Sequence, residues 1–184
     1  QEKWTFATAT QYSTIDEPAF IWTVTANRNR FVWFKGRNKF VDGKGEMLIK
    51  LNSLITIVNE KGEKLDEATL HRYLGEMVWF PSLATSPYSR WDPIDEQTAK
   101  ATMSYKGTSG SGTFCFDKGD LVKFTAWRFM KNEPDARRTE WVLTVNDYKT
   151  FAGIRVPAKM TASWKLQQGD WTWLHLEIED ITYY

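Results

Sequence analysis

The side chains able to do chemistry are few, and none stands in a spacing that a known chemistry requires. The chain has two histidines, His71 and His175, and one cysteine, Cys115. Neither histidine belongs to an H-x-E or H-E-x-x-H pattern or to a Cys/His cluster, so no metal site is expected. Cys115 has no partner for an internal disulfide and, between Phe114 and Phe116 in a strand-like run, reads as a structural thiol. Asp92 and Asp95 flank Pro93 and Ile94. A carboxylate pair can serve acid–base chemistry, although Asp beside Pro is first of all turn chemistry. Arg72 and Glu76 stand four apart and can pair on one helix face, with Trp79 on the same side. The arginine precedes the glutamate, and the glutamate lies towards the helix C-terminus, both against local preference. Such a placement serves another purpose: pinning the helix to a sheet through buried hydrogen bonds, anchoring a ligand head group, or supplying a catalytic carboxylate. No nucleophile elbow, P-loop or dinucleotide fingerprint is present. No catalytic residue and no cofactor is assigned.

One strongly helical segment, expected over 66–80, has to position Arg72, Glu76 and Trp79. Asp66 is the expected N-cap, with Glu67 in the first turn and Leu65 and Leu70 spaced as a hydrophobic staple. Leu70, Tyr73, Leu74 and Met77 follow the i, i+3, i+4, i+7 pattern, which predicts one buried face. Gly75 in mid-helix costs about 1 kcal/mol relative to Ala and points to close approach by a neighbouring strand. Pro81 is the expected stop.

Nearly everything else alternates with the period of a strand. Strands are expected over 4–14, 19–26, 30–41 and 46–51, with a short apolar run over 54–58 and Asp42-Gly43 as a hairpin turn. The segment 82–95 reads as irregular because of Pro87 and Pro93. Five strands follow: 98–105, 112–117, 121–130, 140–150 and 154–166, with the Gly/Ser-rich stretch 107–112 as a hairpin tip. In the last of these, Ile154, Val156, Ala158, Met160, Ala162, Trp164 and Leu166 alternate with polar residues, and Pro157 on the wet side marks an edge or bulge. A final strand carries Leu174, Leu176 and Ile178 inward, with His175 outward.

The 184 residues fit one domain. A formal charge of +1 gives no electrostatic footprint for nucleic acid, and no apolar run is long enough to cross a membrane as a helix. The outlier is the aromatic content, with ten Trp, eleven Phe and seven Tyr. These rings either fill a wide sheet interior or line a cavity for an apolar ligand. The chain opens at Gln1 without an initiator Met, which points to a missing N-terminal part of the full-length protein.

The run Leu70-His71-Arg72-Tyr73-Leu74-Gly75-Glu76-Met77-Val78-Trp79-Phe80-Pro81 resembles the central motif of a bacterial family of uncharacterised proteins. Gln11, Pro18-Ala19-Phe20-Ile21-Trp22, Gly43 and Gly45 precede it in the same order. Trp91, Ile94, Asp95, Ala99, Ala101, Phe116-Asp117, Gly119, Tyr148, Gly153-Ile154-Arg155-Val156-Pro157, Trp164 and Ile181-Thr182-Tyr183 follow. The resemblance implies no activity. It implies an exported or membrane-anchored protein of the bacterial envelope, near the membrane through the missing N-terminal part. The strand–helix–strand order is similar to that of the outer-membrane lipoprotein carriers, half-open barrels that shelter lipid chains, which is an analogy of fold.

The expectation is therefore a single mainly β (α+β) domain over 1–184. A strongly curved antiparallel sheet, or half-open β-barrel, would wrap one central amphipathic helix that lies between two sets of antiparallel strands. Its expected role is to bind a lipid or other hydrophobic ligand, with Trp22, Trp79, Trp91, Trp127 and Trp164 lining the cavity and Arg72 and Glu76 as polar anchors. Two other readings are open: a hydrolase-like enzyme using Glu76 or the Asp92/Asp95 pair with His71, and an interaction domain with a filled core and an exposed apolar patch. Ligand identity and oligomeric state are not legible.

Overall fold

The computed structural model describes residues 4–184. Its strands form two uninterrupted antiparallel meanders, one on each side of α1 in the sequence. The first holds β1 (Ala7–Thr14), β2 (Ala19–Asn29), β3 (Val32–Val41), β4 (Lys44–Leu51) and β5 (Ile55–Glu60). The second holds β6 (Ser89–Asp95), β7 (Thr98–Tyr105), β8 (Thr108–Asp117), β9 (Asp120–Phe129), β10 (Arg138–Phe151), β11 (Ile154–Leu166) and β12 (Gly169–Glu177). Between them runs α1 (Glu63–Glu76), continued by 3₁₀ turns over Met77–Trp79 and Pro81–Thr85. The protein is mainly β with two antiparallel sheets, and the described strands do not close into a barrel.

Four of the hairpins rest on one local device. Asp42-Gly43, Lys106-Gly107, Lys118-Gly119 and Ala152-Gly153 each place two consecutive residues at positive φ, the backbone of a two-residue turn whose twist matches the strands it joins. The Lys106-Gly107 turn corrects the expected tip at 107–112, because strand β8 already begins at Thr108. Gly110 and Gly112 are therefore strand residues. A Cβ on Gly110 would lie 3.0 Å from the His71 ring, and one on Gly112 would lie 2.3 Å from the Phe124 ring. The segment 82–95 is likewise more regular than its prolines imply. Its second half is the edge strand β6, where Pro93 opposes Ala99 and the pairing with β7 shifts register just after it, between Pro93 and Asp95.

The helix differs from expectation at both ends and around its circumference. It starts at Glu63 behind Gly62, with no side-chain cap. Asp66 is not the N-cap. Its buried carboxylate accepts the Gly45 N–H at 2.7 Å and pairs with Lys44 at 3.0 Å, tying α1 to the start of β4. The helix proper ends at Glu76, and Pro81 opens the second 3₁₀ turn. Nor is α1 amphipathic in the expected sense: Asp66, Thr69, His71 and Glu76 are as buried as Leu70, Tyr73 and Leu74. The reason is position. The helix packs on β3 and β4 from one sheet and on β7, β8 and β9 from the other, so its polar side chains bond to strands instead of water. Full burial of Leu70 and Leu74 stabilises the fold by about 1.5–3 kcal/mol each.

Gly75 meets the expected close approach. A Cβ there would lie 2.9 Å from Phe124 of β9 and 3.1 Å from Leu143 of β10. The Phe124 ring, wholly buried, thus fills space left by Gly75 on the helix and Gly112 on β8. Strand β11 spans the expected residues with the expected alternation, but Pro157 is buried, not wet. It faces Tyr148 beside a register shift in β10 and accepts a 2.9 Å hydrogen bond from Trp79 Nε1.

Candidate functional site

Arg72 and Glu76 form the hub of a saturated polar cluster. Arg72 Nε donates to Glu76 Oε1 at 2.7 Å, Nη1 to Asn38 Oδ1 of β3 at 3.1 Å, and Nη2 to Gln11 Oε1 of β1 at 2.9 Å. Gln11 Nε2 closes the ring on Glu76 Oε2 at 2.8 Å. The guanidinium lies 5.0 Å from the Phe20 ring centroid and 4.8 Å from that of Trp22. Helix and first sheet are pinned together here, and both carboxylate oxygens of Glu76 are used.

Beside this cluster stands a second arginine that is not saturated. Along β9, Phe124, Ala126 and Arg128 share the inward face. The Arg128 guanidinium lies 4.4 Å from the Trp141 ring and 5.6 Å from the Trp164 ring. Burial destabilises its cation, the charge of Arg72 adds to the cost, and Glu76 relieves it in part. A guanidinium stays protonated under these conditions, so that cost remains as a pull on anions. Among the described residues, neither Arg128 Nε nor Trp141 Nε1 has a hydrogen-bond partner, although both atoms are buried. Arg128 as a whole is only half-buried, as is Trp22.

A separate cleft of about 460 Å³ opens on the second sheet. Strands β8 and β9 pair from Asp117/Asp120 as far as Thr113/Thr125 and then part. His71 of α1 comes up beneath the parted strands, and its Nε2 accepts the Ser111 N–H at 3.2 Å. Glu67, Thr113, Trp127 and Arg138 surround it, Glu67 being held by Arg138 through two bonds of 2.8 and 2.7 Å. Burial, with the charge of Arg128 next, lowers the His71 pKa to about 4, against the opposing pull of Glu67. Neutral His71 thus carries its proton on Nδ1, which has no hydrogen-bond partner among the described residues. Its one lone pair is already taken by Ser111.

The expected site residues do not gather in one place. Trp22, Arg72 and Glu76 lie together, and Trp164 joins them through Arg128. Trp79 is buried with its indole committed to Pro157, and Tyr183 Oη donates to its carbonyl at 2.9 Å. Trp91 packs on Phe114 and donates to the Ala84 carbonyl. Trp127 is 63% exposed on the outer face of β9, opposite in strand parity to Arg128, and borders the cleft. The hydrolase constellation also disperses. His71 stands near Glu67 at 3.9 Å, Glu76 is bound to Arg72 and Gln11, and Asp92, about half-exposed on β6, pairs with Arg90 at 3.0 Å. Arg128 and Trp141 are not among the residues expected from sequence. The alternation Phe124, Ala126, Arg128 carried the signal, since it sets an arginine on an inward position.

The geometry defines a class: two antiparallel meanders around a buried helix, with one saturated and one unsaturated arginine in the interior. The chain belongs to the family of unknown function DUF6544, whose profile matches residues 1–176. Neither a curated protein nor a solved structure matches the chain.

Proposed function

We propose that the chain is a binding domain for a lipid or another hydrophobic ligand, its two sheets curving as a half-open barrel about α1. The observation that carries this reading is Arg128, whose buried Nε has no partner among the described residues and whose guanidinium lies on the rings of Trp141 and Trp164, near half-buried Trp22. The helix α1 rests chiefly on β3, β4 and β7–β9, and its Arg72 and Tyr73 reach β1 and β2. Taking even part of a guanidinium out of water without an ionic partner is unfavourable, and apolar residues of similar volume generally pack as stably or better. Retaining Arg128 there makes sense if a ligand completes the site. The test is native mass spectrometry of the purified protein, with organic extraction of what co-purifies. A lipid in near-stoichiometric amount is the expected result. A clean apo mass together with no uptake of a fluorescent fatty-acid probe overturns the reading.

A second reading has its own observation. The β2–β3 and β4–β5 turns lie side by side, bound through Asn52 Nδ2 to the Phe31 carbonyl and Trp33 Nε1 to Ser53. They expose Phe31 at 75%, Leu54 at 83% and Ile55 at 63%. Arg28, Arg30, Lys35 and Lys50 flank them, and residues 27–35 and 50–57 contain no acid. Apolar tips ringed by cations suit docking on an anionic membrane surface, the envelope setting expected from sequence. Co-sedimentation with phosphatidylglycerol vesicles but not phosphatidylcholine vesicles, lost in F31S/L54S, is the expected outcome. Equal binding to both, or none, refutes it.

A further inference from the structure

Among the described residues, the charges about α1 do not all find a partner. Glu76 is neutralised by Arg72, whose Nε, Nη1 and Nη2 are all engaged, and its second oxygen is taken by Gln11. That leaves Arg128, whose buried Nε has no partner among the described residues. The faces of Trp141 and Trp164 stabilise it through their quadrupoles, yet a ring face accepts none of the hydrogen bonds its fork of N–H donors can make. Trp141 contributes one more unmet donor in contact with the same guanidinium. Unpaired donors of this kind, Arg128 Nε and Trp141 Nε1 about one half-buried positive charge, suit a planar or tetrahedral oxyanion. Trp22, which touches Arg72 on the other side, and Val24 beyond it on the same face of β2 are half-buried and apolar.

We propose that Arg128 and Trp141 receive the anionic group, carboxylate or phosphate, of an amphipathic ligand whose hydrocarbon part lies along Trp22, Val24 and Trp164. The proposal rests on the ligand-binding reading above and adds to it the charge of the ligand and the residues that select it. Arg72 and Glu76 are positioning residues: they hold α1 and the first sheet in register and leave Arg128 as the charge that selects.

The test compares palmitate, hexadecanol and hexadecyltrimethylammonium by intrinsic Trp fluorescence and calorimetry on the whole chain, with inorganic phosphate as a fourth probe. Palmitate is expected to bind at least about tenfold tighter than hexadecanol, the worth of a charge-assisted hydrogen bond, and the ammonium amphiphile weakest of all. R128M is expected to erase the preference for palmitate over hexadecanol while keeping or raising the melting temperature; R128K is expected to retain part of it. If palmitate and hexadecanol bind equally, or if R128M keeps the preference, the anion assignment is overturned while hydrophobic binding stands. If no amphiphile binds, the ligand-binding reading itself fails. Phosphate binding as tightly as palmitate refutes the amphiphile and leaves a free-oxyanion site. If R128M unfolds, R128K decides: an unchanged palmitate preference in that variant means the fork geometry of Arg128 is not recognised.

Discussion

Acidification should loosen this fold through His71 before it loosens it through the carboxylates. His71 is almost fully buried, and its pKa falls from 6.5 in the unfolded chain to about 4 in the fold. The unfolded state therefore binds the proton more readily throughout that interval. Stability is fully present above pH 6.5, declines as pH drops, and levels off below pH 4. A gap of this size is worth about 3 kcal/mol in all, of which about 2 kcal/mol is lost by pH 4.5. Glu46 acts later. Its bonds to Lys61 and Arg37 outweigh the small cost of burial and hold its pKa at about 2 against an ordinary 4.5, so its contribution disappears only below about pH 4.5. The window between pH 6.5 and 4.5 thus isolates the histidine. Urea denaturation followed by Trp fluorescence at four pH values across it should show the wild type losing about 2 kcal/mol. H71Q, whose side-chain carbonyl can still accept from Ser111 N–H, should start lower and lose far less on acidification, with H175Q as the exposed-histidine control. A flat wild-type profile, or an H71Q profile parallel to it, would refute the argument that His71 is held neutral beneath the β8–β9 slit.

Gly112 to Ala would set a Cβ 2.3 Å from the Phe124 ring, and overpacking of this kind costs about 1–3 kcal/mol. The penalty should shrink when Phe124→Leu removes the ring, so a double-mutant cycle in urea that comes out additive contradicts the packing described. Removing the Glu76 carboxylate leaves Arg72 and Arg128 facing one another without compensation, so E76A should cost about 3–5 kcal/mol. R72M/E76L should recover part of that loss, and a pair no more stable than E76A alone would count against the charge argument.

Long, regular alternation is what the sequence shows most plainly. The span of β11, the Asp42-Gly43 hairpin and the existence of one central helix all follow from period and turn chemistry. The helix start does not, because an aspartate before an apolar run looks the same whether it caps its own helix or, like Asp66, accepts a bond from a strand 21 residues earlier. The stretch 107–112 has the composition of a loop for a reason that lies elsewhere in the chain: His71 and Phe124 occupy the space where side chains at positions 110 and 112 would sit. Strand β6 escapes notice because a proline that would break a central strand is tolerated at an edge. In the site, the Arg72–Glu76 pair is legible from its i, i+4 spacing. Trp127 has the aromatic type of a lining residue, whereas strand parity turns it outward and turns its neighbour Arg128 inward.

The buried polar groups of this protein divide by whether the chain completes them. Asp66, Asn38, Arg72 and Glu76 each bond to a group of the chain itself, and the residues they join lie up to 65 positions apart once Gln11 is counted. That is how polar groups are kept when their task is to hold an architecture, since each unmet one costs about 1–3 kcal/mol. Among the described residues, the unmet buried side-chain atoms are His71 Nδ1, Ser89 Oγ, Arg128 Nε and Trp141 Nε1. Two of the four belong to a single cation–indole pair, and the charge of that cation also depresses His71. Scattered flaws of packing would fall without regard to one another or to charge. Two unmet donors at one guanidinium, next to a cluster saturated down to its last carboxylate oxygen, are the pair that the proposed anionic ligand would complete.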